Sequence, residues 1–434
     1  MAHTGALSPR HLEQENLCLQ VKILHTSDWH LGRTLYGRSR HKEFESFLDW
    51  LSGLIETQGI DALFVAGDIF DTTTPGNRTQ ELYYRFLQRV FRSSCRHAVV
   101  IGGNHDSPTF LDAPKTLLRE FDVHVLGAVT GDPQDEVLVL RDAHGRPEAV
   151  VCAVPYLRDR DIRTVEPGES MEDKNRKLVE GVGRHYAEVS RLADERRKEL
   201  GGEIPIIATG HLFTAGGTTV DGDGVREIYV GSLARIGITA FPDTIDYVAL
   251  GHLHVAQKVG GVEHLRYSGS PIPMGFGESS HRKMVVQVEF DGRTPRITEI
   301  PVPCIQSLER LSGNLDDLTA SIAALRASGS SAWLEIEYRG DEPASSVQEV
   351  LEGAIEGSLL EIRRIRSSSS VRDALRQLSE DETLEQLDPE AVFVRCLDSR
   401  GTDESLRPML IECYREVLRS IDEEDAMSET AEGA

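Results

Sequence analysis

Five apolar runs in the first two thirds of the chain each end in a short polar cluster. The residues of each run are mostly apolar, which is typical of strands that are buried on both faces of a sheet. Because the carboxyl ends of such strands lie along one edge, we expect the polar clusters to converge on one crevice. The runs are Val21 to Leu24, Ala62 to Ala66, Ala98 to Ile101, Ile204 to Ala208 and Tyr247 to Leu250.

Amphipathic stretches with helical spacing of their apolar residues lie between these runs. The alternation predicts an α/β fold whose layered core consists of sheets flanked by helices. Two further strands, at Lys283 to Phe290 and Arg296 to Val302, are expected to complete this first domain at residues 19–302. The predicted helices are His41 to Thr57, Arg78 to Arg92, Pro114 to Glu120 and Glu172 to Leu200.

The pattern changes after residue 302 and predicts a small α+β capping domain at residues 303–367. Residues 1–18 are expected to form a flexible tail, residues 368–387 a linker, and residues 426–434 an acidic tail. The predicted elements of the capping domain are a helix at Leu315 to Ala327, a strand at Ala332 to Tyr338, a helix at Ser345 to Glu356 and a strand at Leu359 to Arg366.

A pair of helices is predicted at residues 388–425, one from Asp388 to Leu397 and the other from Glu404 to Ile421. Each has an apolar face, and pairing the two leaves apolar surface uncovered. This surplus favours a docking element for another protein, and packing against the chain's own domains is the open alternative. The apolar faces comprise Val392, Phe393, Leu397, Leu406, Leu410, Tyr414, Val417, Leu418 and Ile421.

The formal charge of −24 over 434 residues argues at first against nucleic acid as a partner. Half of that charge lies between Glu380 and Ala434, where seventeen acidic residues face five arginines. The rest of the chain is mildly acidic, so DNA binding stays compatible with the composition, although no broad basic surface is indicated.

The six cysteines are scattered and form no Cys-x-x-Cys pair, which argues against a disulfide framework and against a zinc knuckle. No apolar stretch approaches the roughly 20 residues of a membrane span, and the polar start of the chain does not resemble a signal peptide. We therefore expect a cytoplasmic protein.

The polar clusters offer the donor atoms that two adjacent divalent cations need. Carboxylate, imidazole and amide oxygen donors without thiolate suit manganese, iron, zinc or magnesium. Asp28 and His30 are two residues apart, so on an extended segment both side chains would point to one ion. Two ions about 3.5 to 4 Å apart can clamp a hydroxide and a phosphate, which indicates phosphoester hydrolysis. The candidate metal ligands are Asp28, His30, Asp68, Asn104, His211, His252 and His254.

Each cluster taken alone also has an ordinary structural interpretation. Asp28 can cap a helix, Asp68 can shape a turn, and His211 can be a hydrogen-bonded histidine near the core. Repetition of the pattern after five strands favours a metal centre over unrelated uses. Structural or surface roles are favoured for six histidines outside the clusters, namely His25, His97, His124, His185, His264 and His281.

The order Asp-x-His, Gly-Asp, Gly-Asn-His-Asp, Gly-His and Gly-His-x-His resembles the calcineurin-like metallophosphoesterase superfamily. Closer detail resembles its SbcD group of bacterial nuclease subunits, in the segments His25 to Gly32, Ala66 to Asp71, Asp246 to His254 and Tyr267 to Pro271. The resemblance implies a double-strand DNA exonuclease and hairpin or single-strand endonuclease of DNA repair and recombination. It also implies two divalent ions, with Mn²⁺ expected, and an SbcC-type ATPase partner bound by the terminal helices. A homodimer within a heterotetramer is the implied assembly.

The same resemblance implies a role for each site residue. His105 would contact the scissile phosphate and protonate the leaving oxygen, with Asp106 as its orienting partner. Some relatives have a histidine that assists at the phosphate where this chain has Asp71. The first ion would take Asp28, His30, Asp68 and His254, and the second Asp68, Asn104, His211 and His252.

A basic group follows the first cluster and consists of Arg33, Arg38, Arg40 and Lys42. These side chains can hold DNA phosphates without reading bases, and a solvated run of surface charge is the alternative.

Two other functions stay open on the sequence alone. The first keeps the metal site but assigns it a small substrate, such as a cyclic nucleotide or a phosphomonoester; the capping domain and the helix pair disfavour it. The second is a metal-free scaffold that serves as a protein-binding surface, which the complete set of candidate ligands disfavours.

Overall fold

The computed structural model describes residues 20–163, 169–214, 236–340, 342, 344–367, 390, 393–394, 397 and 406–415. The chain divides into two compact units, Met1–Ile305 and Gln306–Ala434. The predicted flexible tail, linker and acidic tail lie outside the described residues.

The first unit contains fourteen of the described strands and six of the described α-helices. Its strands are β1 (Gln20–Thr26), β2 (Thr34–Leu35), β3 (Arg38–Ser39), β4 (Ala62–Ala66), β5 (His97–Ile101), β6 (Val123–Leu126), β7 (Val137–Arg141), β8 (Pro147–Cys152), β9 (Ile206–His211), β10 (Tyr247–Gly251), β11 (Gln257–Val259), β12 (Val262–Tyr267), β13 (Met284–Asp291) and β14 (Thr294–Pro301). Its helices are α1 (His41–Gln58), α2 (Asn77–Arg92), α3 (Pro108–Asp112), α4 (Lys115–Arg119), α5 (Asp159–Ile162) and α6 (Met171–Glu199).

Most of these strands form two six-stranded mixed sheets, with the orders β14-β13-β1-β4-β5-β6 and β11-β12-β10-β9-β8-β7. Strands β1, β4, β5 and β6 run parallel to one another, as do β8, β9, β10 and β12. Every residue of β4, β5, β9 and β10 is buried, as the apolar runs within them predict. The predicted α/β fold is confirmed.

The two sheets pack face to face through an apolar layer that includes Phe64 and Ile101 of one sheet and Ile207 and Ala249 of the other. Helices α1 and α2 cover the outer face of the first sheet, and α6 covers that of the second. His25, for which a structural role was favoured, bridges the layers: its ring nitrogens lie 2.9 Å from the Tyr247 hydroxyl and 3.1 Å from the Leu250 carbonyl oxygen. The unit is therefore a sandwich with helices outside.

Two features differ from the sequence prediction. The five strands that precede the polar clusters do not share one sheet edge, because β1, β4 and β5 belong to the first sheet and β9 and β10 to the second. Strand β9 also starts and ends later than expected, since Gly210 and His211 continue its pairing with β10. The pairing of strands depends on contacts distant in sequence, which local patterns do not encode.

The second unit has a three-stranded parallel sheet with two helices packed on it. Helix α7 begins with a capping box, in which Asn314 and Asp317 each accept a hydrogen bond from the other's backbone N–H. The sheet order is β15-β16-β17. The elements are β15 (Leu308–Gly313), α7 (Leu315–Ala327), β16 (Trp333–Tyr338), α8 (Ala344–Ile355) and β17 (Glu361–Ser367).

Part of the predicted terminal helix pair falls on described residues. Residues 407–415 are helical, and the ring of Phe393 stacks on that of Tyr414 with centroids 4.1 Å apart. Arg415 forms an ion pair with Glu390. None of the described helices has the length and apolar character that a membrane span needs.

Adjacent residues of α8 allow a matched test of the small core. Leu351 is fully buried between α8 and the sheet, whereas the neighbouring Val350 is 42% exposed. We expect Leu351→Ala to lower the free energy of unfolding of this unit by about 2–5 kcal/mol, because it leaves a cavity. Val350→Ala should change it by less than about 0.5 kcal/mol. Hydrogen exchange of the β16 amides measures both, and equal protection in the two variants would contradict the assigned packing.

Candidate metal centre

The seven predicted ligand side chains meet where the carboxyl ends of strands from both sheets face each other. Asp28, His30 and Asp68 follow β1 and β4, and Asn104 follows β5. His211 ends β9, while His252 and His254 follow β10. Five of the seven are buried, and Asn104 and His252 are half-buried. Convergence across two sheets replaces the expected convergence along one sheet edge.

The backbone of the site is held in an unusual conformation. Asp28, His30, Asp68 and His252 all have positive φ values, of 52°, 47°, 51° and 101°. Such values are uncommon for residues other than glycine and persist only where surrounding contacts enforce them. The N–H groups of Asp28 and His30 donate to the carbonyl oxygens of Gly67 and Asp68, at 3.0 and 2.9 Å. The expectation of an extended Asp28–His30 segment is therefore wrong, because these bonds fold the loop around the β4 turn.

Glycines allow the loops of the two sheets to approach closely. A Cβ atom on Gly251, at the end of β10, would lie 1.9 Å from the carbonyl oxygen of Ala66, at the end of β4. A Cβ atom on Gly103 would lie 2.2 Å from Oδ1 of Asp68. A side chain at either position would therefore separate the ligands.

The first group of donor atoms surrounds His30. Its Nε2 lies 3.2 Å from Nε2 of His254 and 3.6 Å from Oδ2 of Asp68. Donor atoms of Asp28, His30 and His254 all lie within 4.8 Å of one another. These three side chains, with Asp68, form one candidate ion site.

The second group surrounds Asn104. Its Oδ1 lies 2.9 Å from Nε2 of His211 and 3.0 Å from Nδ1 of His252. Oδ2 of Asp68 lies 3.3 Å from Nε2 of His211, so the Asp68 carboxylate stands between the two groups. Such a carboxylate can bridge two ions.

The donor set fits divalent cations. Asp28 and Asp68 are buried, and among the described residues no lysine or arginine forms an ion pair with either carboxylate. Two buried carboxylates whose described ion-pair partners are histidines alone are costly, and divalent cations would compensate their charge. The donor spacings of 2.9 to 3.2 Å are close to the roughly 3 Å that separates neighbouring ligands of one six-coordinate ion with bonds of about 2.1 Å. We infer that the cluster is built around cations.

The pKa values of the side chains in the metal-free cluster reflect their burial and their closeness to one another. Burial raises the pKa of Asp28, whereas His211 holds the pKa of Asp68 well below its usual value despite burial. Burial alone would lower the pKa of His211, but Asp68 raises it to about 9. Burial lowers the pKa of His252 to about 3. A metal ion competes with a proton for a histidine nitrogen, and Asp68 favours the protonated form of His211.

Other contacts orient the histidine rings. Nδ1 of His211 lies 2.9 Å from the Ala66 carbonyl oxygen, and Nδ1 of His254 lies 3.1 Å from Oε1 of Glu278. Glu278 is fully buried and pairs with Lys283; burial opposes its ionisation, but Lys283 and His254 lower its pKa to about 2. Sequence reasoning missed Glu278, because no strand-end cluster marks it. Contacts of this kind fix the tautomer and direction of a metal ligand.

The structure changes the role assigned to Asp106. Its buried carboxylate accepts hydrogen bonds from the backbone N–H groups of Gly103, Ile69 and Phe70, at 2.9 to 3.1 Å. Burial and the charge of Asp68 raise its pKa to about 7. Among the described contacts it has none with the ring of His105, so its prediction as the orienting partner is wrong. Asp106 instead ties the loop after β5 to the loop after β4.

Asp71 takes the orienting role. Its backbone carbonyl oxygen lies 3.1 Å from Nδ1 of His105, and its Oδ1 lies 3.3 Å from Nδ1 of His30. Arg33 donates to the same Oδ1 at 3.0 Å. The Asp71 side chain thus supports a candidate metal ligand, while its backbone supports the candidate proton donor.

The candidate DNA-binding residues do not form one surface group. Arg40 is fully buried, and its guanidinium forms a two-point ion pair with Glu43 at 2.9 and 2.6 Å. The prediction of Arg40 as a DNA contact is therefore wrong, because a buried and paired guanidinium is not available to a phosphate. Arg33 is half-buried, and Arg38 and Lys42 are exposed.

Comparison with known proteins gives two family matches. Residues 21–256 match the model described as calcineurin-like phosphoesterase, and residues 304–400 match the model described as Type 5 capsule protein repressor C-terminal domain. The chain is 37% identical over 408 residues to the SbcD component of the SbcCD nuclease of Escherichia coli (strain K12), covering 92% of this chain and 98% of that protein. It is 32% identical over 387 residues to the SbcD component of the same nuclease from Rhodobacter capsulatus, covering 86% and 93%.

The Glu278 contact generates a prediction about metal affinity. Glu278→Gln removes the carboxylate that holds Nδ1 of His254, and we expect metal affinity to fall by about 10–100-fold. Glu263→Gln, at an exposed glutamate on β12, is the control and should leave the affinity unchanged. Calorimetric titration of each metal-free variant with Mn²⁺ measures the difference in metal affinity. Equal affinities in the two variants would show that His254 does not depend on Glu278.

Proposed function

The chain belongs to the SbcD nucleases of the calcineurin-like phosphoesterase family, and we propose that it hydrolyses DNA phosphodiester bonds at the metal centre described above. The family match makes it a metal-dependent nuclease. The observation that carries this proposal is the meeting of two groups of donor atoms on either side of Asp68. The chain covers nearly the whole length of its Escherichia coli relative, so its second unit has a counterpart there.

The chain's residues divide between two ions in the proposed site. Asp68 would be shared by both ions. The first would also be held by Asp28, His30 and His254, and the second by Asn104, His211 and His252. When bound, such a pair supplies an activated hydroxide and neutralises charge on the phosphate. Oxygen and imidazole donors without thiolate are compatible with Mn²⁺, which is the proposed metal.

His105 is the proposed proton donor. Because the Asp71 carbonyl oxygen can only accept, Nδ1 of His105 carries a hydrogen and Nε2 remains for the substrate. In the imidazolium form, Nε2–H gives its proton to the leaving oxygen as the P–O bond breaks, and the ring becomes neutral. The backbone N–H of His105 donates to Oδ1 of Asp68 at 2.9 Å, which fixes the position of His105 relative to the ligands.

Duplex ends, hairpins and single strands are the proposed substrates, in DNA repair and recombination in the cytoplasm. Exposed Arg38 and Lys42, on the segment that follows the first ligands, are suited to phosphate contacts. Arg33 can contribute only if its bond to Asp71 is shared with the substrate.

Hydrolysis of linear duplex DNA tests this function. We expect Mn²⁺-dependent release of nucleotides from the wild-type protein with its ATPase partner, and loss of that release in His105→Gln with bound metal unchanged. His281→Gln, outside the site, is the matched control and should stay active. Loss of metal in His105→Gln would make His105 a ligand. Cleavage of small phosphodiesters alone would favour the small-substrate alternative.

An SbcC-type ATPase is the proposed partner, within a heterotetramer built on a homodimer. Leu406 and Met409 of the terminal helical segment are 48% and 59% exposed. The rings of Phe393 and Tyr414 stack and so pair the two helical segments. Exposed apolar side chains on paired helices are suited to docking another protein.

Deletion of Asp388 to Ala434 is expected to abolish co-purification with the ATPase, while hydrolysis of a small phosphodiester continues. The double variant Leu406→Asp and Met409→Asp should have the same effect, because it places charge on the docking surface. Cys413→Ser, at an exposed position of the same segment, is the control. Undiminished co-purification of the double variant would place the docking surface elsewhere.

A further inference from the structure

A second cluster of potential ligands lies at the opposite end of the first sheet from the metal centre. His97 is the first residue of β5, and Asp122 and His124 flank the start of β6. One donor atom from each of the three residues lies within 4.8 Å of the others. The metal centre described above lies beyond the carboxyl ends of the strands, so this cluster is separate from it.

His97 contributes a buried ring nitrogen without a partner. The residue is 7% exposed, and its Nε2 lies 2.8 Å from the carbonyl oxygen of Arg141 and 3.2 Å from the backbone nitrogen of the same residue. The backbone N–H of Arg141 donates to Nε2 in one tautomer, and Nε2 donates to the carbonyl oxygen in the other. In the tautomer in which Nε2 donates to the carbonyl oxygen, Nδ1 keeps a lone pair for an ion. Among the described residues, Nδ1 of His97 has no hydrogen-bond partner. A buried unpaired acceptor is destabilising, and an imidazole with its other nitrogen bound to a backbone carbonyl is typical of a metal ligand.

The other two residues complete the set. His124 pairs with Val99 in the sheet register, so its side chain lies on the same face as that of His97 two residues earlier on β5. Burial lowers the pKa of His124, and proximity to His97 lowers it further, although Asp122 opposes this. Asp122 is exposed and has a φ of 53°. Its backbone carbonyl oxygen accepts from the N–H of Ala98 at 3.0 Å, which fixes it beside β5.

We propose that His97, Asp122 and His124 bind a structural zinc ion that links β6 to β5. Two imidazoles and one carboxylate form a common zinc ligand set, and the exposed side of Asp122 leaves room for water as a fourth ligand. Burial raises the pKa of nearby Cys95 to about 12, so no thiolate competes. Among the strands that the structure describes, β6 lies at the edge of its sheet and pairs with β5 alone. The ion would fasten the edge strand at its amino end.

Zinc stoichiometry tests this site in the full chain. The metal-free protein is dialysed against Zn²⁺, and bound zinc is measured by mass spectrometry. We expect Asp122→Asn and His124→Gln each to bind one ion fewer per chain than the wild type. Asparagine tolerates positive φ, so the first variant preserves the backbone. His264→Gln, at an exposed histidine of β12, is the control and should bind as many ions as the wild type.

A second measurement separates loss of the site from loss of the fold. Zinc should slow hydrogen exchange of the amides in Val123–Leu126 in the wild type and should have no such effect in either variant. Mn²⁺ binding at the main centre should be equal in all four proteins, which verifies that they are folded. Equal zinc stoichiometry in wild type and variants, or unchanged exchange in β6 on zinc addition, would overturn the proposal.

Discussion

Two buried carboxylates need cations to compensate their charge, and the structure of the first unit depends on this requirement. Asp28 and Asp68 lie at the junction of two sheets, where the described residues offer them histidines but no lysine or arginine. Charges of one sign in such surroundings are tolerated only with cations between them. The positive φ values of four candidate ligands and the glycines without room for a side chain both serve to keep these groups close together. Local backbone strain at the ligands thus accompanies a preorganised metal centre.

The sequence predicts the chemistry of the centre better than its architecture. All seven candidate ligands meet, because each lies at or just beyond the end of a strand that contains an apolar run. The division of those strands between two sheets was not predictable, since a buried strand has the same pattern in either sheet. Strands β6, β7 and β8 were also missed: their apolar runs are short and are bounded by charged residues such as Arg141 at the end of β7 and Glu148 near the start of β8.

Supporting residues were the hardest to predict. Glu278 and Lys283 lie far from any ligand in the sequence and reach His254 through the fold. Arg40 and Arg33 belong to one basic run, yet one is buried in an ion pair and the other binds Asp71. Charge in a sequence therefore does not distinguish a surface contact from a packed one. His97 and His124 illustrate the same limit, because only the pairing of β5 with β6 brings them together.

The close approach of Gly251 to Ala66 has a consequence for the whole sandwich. His211 and His252 are attached to one sheet, and Asp68 and Asn104 to the other, so metal affinity reports how the two sheets are aligned. A repacking change deep between the layers, at Phe64 or Ile207 for example, can shift that alignment by a fraction of an ångström. Loss of metal can therefore arise from a mutation that contacts no ligand. The metal content of a variant is a sensitive measure of changes in core packing far from the site.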